Sequence, residues 1–329
     1  MADISIIGSG SWGTAIAVIL SNNGHNVLLW SRNSQTTESL KDTYKNSKYL
    51  PDVKIPLSVS FTSDISQCAD ADIIVVATPS HTVRSVSRQL APHIKKGQII
   101  LSISKGFDED NFNRLSQVIK SETPGSVVAA MSGPSHAEEV CLNLPTTNVV
   151  ACEDIEIAKY IQNIFNTSSF RVYTSDDIIG VELGGSIKNV IALCAGISDG
   201  LGYGDNTKAA LMTRGMAEIV RLGLAMGAKY ETFTGVSGIG DLIVTCTSMH
   251  SRNRRAGILI GRGKSIEEAQ SEIGMVVEGI KSARIVHALS EKYNVDMPIT
   301  QEAYKVLFEG HPVKNCVNNL MSRDAKKEF

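Results

Sequence analysis

From residue 3 to about residue 174, short runs of β-branched and aliphatic residues alternate with longer stretches whose apolar positions recur at helical spacing. The runs at 4–7, 27–30, 73–77, 99–103, 127–131, 147–151 and 170–173 predict strands. Several are apolar throughout, the pattern of strands covered on both faces. This alternation predicts a parallel, doubly wound sheet. Such sheets bind ligands beyond the carboxyl ends of their strands, where the loops Thr78-Pro79-Ser80 and Ser104-Lys105-Gly106 fall. From about Ser175 the strand signals stop, and helices are expected at 187–198, 208–227, 252–260, 278–292 and 301–308. The predicted class is therefore α/β, with a dinucleotide-binding domain over residues 1–176 and an all-helical domain over 177–329. The tail from Ser322 is polar and charged and is expected to fray.

Composition narrows the classes. At ~150 residues per domain, the 329 residues suggest two domains, and 43% hydrophobic content against 20% charged supports a buried core. The 32 Lys and Arg against 34 Asp and Glu leave a formal charge of −2, so net charge does not drive binding to nucleic acid or an anionic membrane. The stretch 4–31 has no charged residue, but no basic segment precedes it, and Gly8, Gly10, Gly13, Asn22, Asn23 and Gly24 break it. It reads as neither signal peptide nor membrane span, and a cytoplasmic protein is expected. The six cysteines lack CxxC spacing, as buried free thiols in a reducing compartment do. The seven histidines show no ligand spacing, so no metal is expected; His81, His136 and His250 read as incidental polar residues.

Gly8-Ser9-Gly10-Ser11-Trp12-Gly13 fits G-x-G-x-x-G, follows a predicted strand and opens an apolar helix that ends near Asn23-Gly24. In that context the pattern signals dinucleotide binding: glycines allow close backbone approach while a helix N-terminus faces the pyrophosphate. An acid that would hold the ribose hydroxyls of NAD is missing after the second strand; Ser31-Arg32-Asn33 stands there instead. A guanidinium suits a 2′-phosphate, so NADPH is expected to be accepted and preferred over NADH. The competing reading of Arg32 is an ordinary solvated arginine.

Further candidates each carry two readings. Lys105 follows a strand and either reaches a ligand or is solvated. Ser132-Gly133-Pro134-Ser135-His136-Ala137 offers N–H groups and hydroxyls to an anion, or is a turn. Lys188, on a helix beside a glycine-rich loop that includes Gly184-Gly185, either snorkels or performs acid–base work. Asp241 sits near a helix start, where dipole stabilisation is the plainer explanation. Ser251-Arg252-Asn253-Arg254-Arg255 suits a phosphate, or is a solvated basic turn or a weak nucleic-acid patch. Glu278 is a ribose acceptor or a helix-start acid.

The ordered motifs GSGSWGTA, ISKGF, SGPSHAEEV, GGSIKNVIALCAGISDGLGYGDN, GIGDLIVTCTS, SRNRRAG and VVEGI resemble the bacterial NAD(P)-dependent sn-glycerol-3-phosphate dehydrogenase family over residues 3–320. The resemblance implies a Rossmann domain followed by a helical substrate domain. It also implies reduction of dihydroxyacetone phosphate to sn-glycerol 3-phosphate for phospholipid synthesis. By position it makes Lys188 the proton carrier. Gly8, Gly10, Ser11, Trp12, Gly13, Arg32, Lys105, Ala137, Arg252, Val276 and Glu278 become contacts of NADPH or NADH. Lys105, Gly133, Ser135, Lys188, Asp241, Ser251, Arg252 and Asn253 become substrate contacts. Ser186 and Cys194 depart from the family pattern, where Thr or Ala and Gly or Ala are expected; both bear on helix packing. The alternatives are a hydroxyacid or sugar-acid dehydrogenase of the same architecture, and a non-catalytic NAD(P)H sensor. A homodimer is the expected assembly.

Overall fold

The computed structural model describes every residue except Lys326 and Phe329, so that part of the tail expected to fray lies outside the described residues. The chain divides into two compact units, Met1–Glu182 and Leu183–Phe329.

The first unit is built on an eight-stranded sheet in the order β10-β9-β8-β7-β6-β1-β2-β5. Its strands are β1 (Asp3–Ile7), β2 (Asn26–Trp30), β5 (Val59–Thr62), β6 (Ile73–Val76), β7 (Ile99–Ser102), β8 (Val127–Ser132), β9 (Thr146–Ala151) and β10 (Phe170–Ser175). Alternate residues of β6 enter opposite cores: Ile73 and Val75 pack on one face, Ile74 and Val76 on the other. This two-sided burial explains the uninterrupted apolar run in the sequence.

The sheet departs from the fully parallel expectation at one junction, where β8 and β9 pair antiparallel. Between them lies only one short helix, Ala137–Cys141. Five helical residues advance about 7.5 Å, whereas a six-residue strand spans roughly 20 Å. The helix is thus too short to run back along the full strand, as the helix of a parallel crossover does. β10 then pairs parallel to β9. Three strands escaped the sequence pattern: β5, a four-residue edge strand with two hydroxyl residues, and the small antiparallel pair β3 (Lys45–Asn46) and β4 (Leu50–Lys54).

The second unit is helical among its described residues. Helix Ile178–Gly200 begins in the first unit and runs through Gly184-Gly185, which is therefore not a loop. These glycines belong to a set that permits close packing. A Cβ on Gly184 would stand 2.5 Å from the Ser237 carbonyl oxygen, and one on Gly196 would stand 2.0 Å from that of Arg254. The helix is long and apolar enough to cross a membrane, but 89% of its most apolar window is buried, so it is a core helix here.

All six cysteines are free. Burial pushes the Cys68, Cys141, Cys246 and Cys316 thiols up to about 12, which keeps them protonated.

Glu218, on helix Asp205–Ala225, accepts hydrogen bonds from the Ile299 N–H (2.6 Å), the Thr300 N–H (3.1 Å) and the Thr300 hydroxyl (3.0 Å). It thereby satisfies the start of helix Pro298–Phe308. Burial outweighs these bonds and pushes its carboxyl from 4.5 up to about 7. A folded-state value above the unfolded one gives a stability contribution that is full below pH ~4.5 and lost as pH rises through ~7. Thermal midpoints measured from pH 5 to pH 8 should therefore fall more steeply in the intact protein than in Glu218→Gln. Equal slopes would show that this carboxyl does not titrate on folding.

Candidate active site

The glycine loop lies where the strand order reverses, because β1 has β2 on one side and β6 on the other. The Gly8 N–H donates to the Trp30 carbonyl at the end of β2 (3.1 Å). Gly8 has φ +118°, and a Cβ there would stand 2.8 Å from the Ala77 carbonyl oxygen. A Cβ on Gly13 would stand 2.0 Å from the Gly8 carbonyl oxygen. Both positions are closed to side chains. Gly10, the N-cap of helix Ser11–Asn22, has nothing within 4 Å of where its Cβ would stand. Beside the loop, the buried Thr78 hydroxyl has no hydrogen-bond partner among the described residues. An open approach at Gly10, unsatisfied N–H groups at a helix start and an orphaned hydroxyl fit a dinucleotide pyrophosphate.

Further residues bear on this site. Asn46, from β3, donates to the Ser9 carbonyl and the Thr14 hydroxyl, both at 2.8 Å, and so pins the glycine loop. No sequence motif marks it, since Asn46 sits on a hairpin the hydropathy pattern does not show. Arg32 stands two residues beyond Trp30, is exposed, and has no hydrogen bond or ion pair among the described residues. Its neighbour Asn33 is engaged as a cap, accepting from the Gln35 and Thr36 N–H groups. Ser11 and Trp12 are half-buried on the first helical turn, with the Trp12 ring 6.4 Å from that of Phe170.

Lys105, Gly133 and Ser135 come together. The Lys105 ammonium donates to the Gly133 carbonyl (2.9 Å) and the Ser135 hydroxyl (3.3 Å), and that hydroxyl donates to the same carbonyl (2.8 Å). Gly133 has φ +149°, and a Cβ there would stand 2.9 Å from Asn148 Oδ1. Ala137 is buried at the start of its short helix and packs in the core.

In the second unit, Lys188 is only 5% exposed and Asp241 is fully buried. The Lys188 ammonium donates to the Asp241 carboxylate and to the Thr245 hydroxyl (2.6 Å), which in turn donates to the Asp241 carbonyl (2.6 Å). Gly184, four residues before Lys188, is the position in contact with the Ser237 carbonyl just ahead of helix Asp241–Thr247. The missing side chain brings the two helices close enough for the pair to form. Thr245 was not singled out in the sequence; its i+4 spacing from Asp241 is the signal that places it on the same helix face.

The basic segment is divided. Ser251 caps its own helix, accepting from the Arg254 N–H (3.2 Å). Arg254 is paired with Asp199, while Arg252 and Arg255 remain half-buried. The Asn253 amide donates to Asn189 Oδ1 (2.8 Å) and accepts from the Gly279 N–H (2.8 Å). This bond draws the start of helix Glu278–Lys292, and with it half-buried Val276 and Glu278, towards Asn253. The phosphate cluster read as three arginines is thus smaller, because Arg254 is already engaged by Asp199. Among the described residues no group of His, Cys, Asp and Glu could hold a metal.

A protonated amine held by a carboxylate and a hydroxyl is an arrangement that gives and takes protons. It is also a structural commitment, since removing one partner of a buried pair costs about 3–5 kcal/mol, whereas apolar replacement of both is often neutral. Chemical denaturation should show Lys188→Met and Asp241→Leu each destabilised by about that amount, and the double variant restored to near the parent. Additive losses in the double variant would show that the two side chains are not energetically coupled.

The family model for the NAD-dependent glycerol-3-phosphate dehydrogenase N-terminus matches residues 3–158, and that for the C-terminus matches residues 177–318. The chain is 54% identical over 329 residues to glycerol-3-phosphate dehydrogenase (NAD(P)+) of Agathobacter rectalis, covering 100% of this chain and 98% of that protein. It is 52% identical over 326 residues to the Clostridium tetani protein of the same name, covering 99% and 93% respectively. A crystal structure of glycerol-3-phosphate dehydrogenase from Coxiella burnetii superposes with a TM-score of 0.94 at 38% identity, covering 97% of this chain and 98% of that one.

Proposed function

Because the chain belongs to the NAD-dependent glycerol-3-phosphate dehydrogenase family, we propose that it catalyses the reversible NAD(P)H-dependent reduction of dihydroxyacetone phosphate to sn-glycerol 3-phosphate. The observation that carries the chemistry is the buried array of Lys188, Asp241 and Thr245. Family membership favours this reaction over the hydroxyacid dehydrogenase and the sensor.

NAD(P)H, when bound, supplies the hydride. The chain's residues do the rest. Gly8, Gly10, Ser11, Trp12 and Gly13 hold the pyrophosphate, and Arg32 meets the adenine ribose, where its charge suits a 2′-phosphate. Ala137, Val276 and Glu278 complete the cofactor contacts, with Lys105 and Arg252 shared between cofactor and substrate. Gly133, Ser135, Ser251 and Asn253 orient the substrate, and Arg252 balances its phosphate charge. As negative charge grows on the carbonyl oxygen, the Lys188 ammonium donates its proton to that oxygen; Lys105 adds positive charge to the site. Asp241 and Thr245 hold the Lys188 amine in place, and in the oxidative direction the neutral amine takes the proton back. On this reading, residues 1–176 form the dinucleotide-binding domain and 177–329 the substrate domain. The enzyme acts as a cytoplasmic homodimer feeding phospholipid synthesis. The prevalence of twofold assemblies supports the dimer, and light scattering in solution tests it.

Initial rates of NADPH and NADH oxidation should be measured with dihydroxyacetone phosphate, for the parent and for Arg32→Gln. Turnover with both cofactors is expected, and the substitution should raise KM for NADPH roughly tenfold, as loss of one charge-assisted contact does, with little change for NADH. Absence of turnover with either cofactor would overturn the reaction. An equal effect on both would remove the 2′-phosphate role of Arg32.

A further inference from the structure

Away from the residues assigned to the reaction, the helical unit contains a cavity of about 360 Å3. Its walls come from helices Ile178–Gly200, Asp205–Ala225, Pro298–Phe308 and Val313–Met321. The lining is mainly aliphatic, with Ile197, Leu211, Ile299, Val306 and Val317 prominent. This volume and character are those of a small-molecule pocket.

Two polar features separate it from a packing defect. Ser198 lines the cavity, is 6% exposed, and its buried hydroxyl has no hydrogen-bond partner among the described residues. Buried hydroxyls are almost always satisfied, so an unsatisfied one asks for an external acceptor. Arg214 also lines the cavity, half-buried, with no hydrogen bond or ion pair among the described residues. The other charges are accounted for. Glu302 pairs with Lys305, Arg323 pairs with Asp296, and Arg221 donates to the Asp296 carbonyl. Glu218 is bound by the start of helix Pro298–Phe308, and Asp324 is exposed to solvent at the rim. Arg214 is therefore the one charged lining side chain inside the rim that no hydrogen bond or ion pair engages among the described residues.

We infer that this cavity is a binding site for a small amphiphilic anion, an aliphatic body with one acidic head, whose oxygen atoms accept from Arg214 and from the Ser198 hydroxyl. The aliphatic lining takes the body by burial, and the guanidinium selects the acidic head over a neutral one.

Isothermal titration of the full chain with sodium octanoate tests this, with 1-octanol as the neutral control. Saturable one-site binding is expected, at least tenfold weaker for octanol. Arg214→Gln should weaken octanoate binding about tenfold, and Ser198→Ala should weaken it several-fold. Neither residue belongs to the catalytic array, so cofactor turnover should be unchanged in both variants and reports that they are folded. Absence of saturable octanoate binding to the parent would overturn the site. Equal binding of octanol and octanoate, or octanoate binding unaffected in folded Arg214→Gln, would overturn the anionic ligand class.

Discussion

Burying an ammonium and a carboxylate together is unfavourable unless the two meet, because each ion loses its hydration on leaving water. Lys188 and Asp241 meet, and much of the helical unit is arranged so that they can. Lys188 lies on a helix whose glycines let neighbouring backbones approach: Gly184 against Ser237, Gly196 against Arg254. A side chain at either place would push the helices apart and lengthen the contact. Asn253 ties Asn189, the residue after Lys188, to the start of helix Glu278–Lys292, and so fixes the same helix from another side. The glycines, the amide bridge and the ion pair form one mechanical system, which keeps a proton-bearing nitrogen in a defined position in a low-dielectric environment.

The sheet unit solves a different problem, that of bringing backbone close to a dianionic ligand. Gly8 and Gly13 are closed by their own surroundings, while Gly10 is open. The first two give the turn its shape, and the third leaves room. Asn46 holds the loop from the side and Trp30 holds it from β2. The unengaged Arg32 stands just past that anchor, so the cofactor discrimination proposed for it falls to a side chain with no structural duty among the described residues.

Much of this was legible in the chain. The apolar runs of β1, β6 and β7 and the glycine fingerprint follow from two-sided burial and close backbone approach, which leave strong local signals. Lys188 and Asp241 could be named but not paired, since their meeting depends on glycine contacts far apart in sequence. Gly184-Gly185 read as a loop because glycine carries the same local signal whether it serves a turn or a helix crossing. The antiparallel β9 goes with the short helix ahead of it, Ala137–Cys141, whose length hydropathy does not encode. Arg254 looked like part of a phosphate cluster until its pairing with Asp199 became visible. Asn46 and Thr245 needed the fold itself, or in the case of Thr245 attention to the i+4 neighbour of a buried acid.

The central claim is that the Lys188 amine carries the proton in the reduction of dihydroxyacetone phosphate. The direct measurement is turnover of the Lys188→Met/Asp241→Leu double variant, assayed by NADPH oxidation beside a fluorescence titration of NADPH binding. Loss of general acid–base catalysis predicts a fall in kcat of about 10²–10⁴-fold, with NADPH bound as tightly as by the parent. A folded, NADPH-binding double variant that turns over within about tenfold of the parent, below the range such catalysis supplies, would contradict the account.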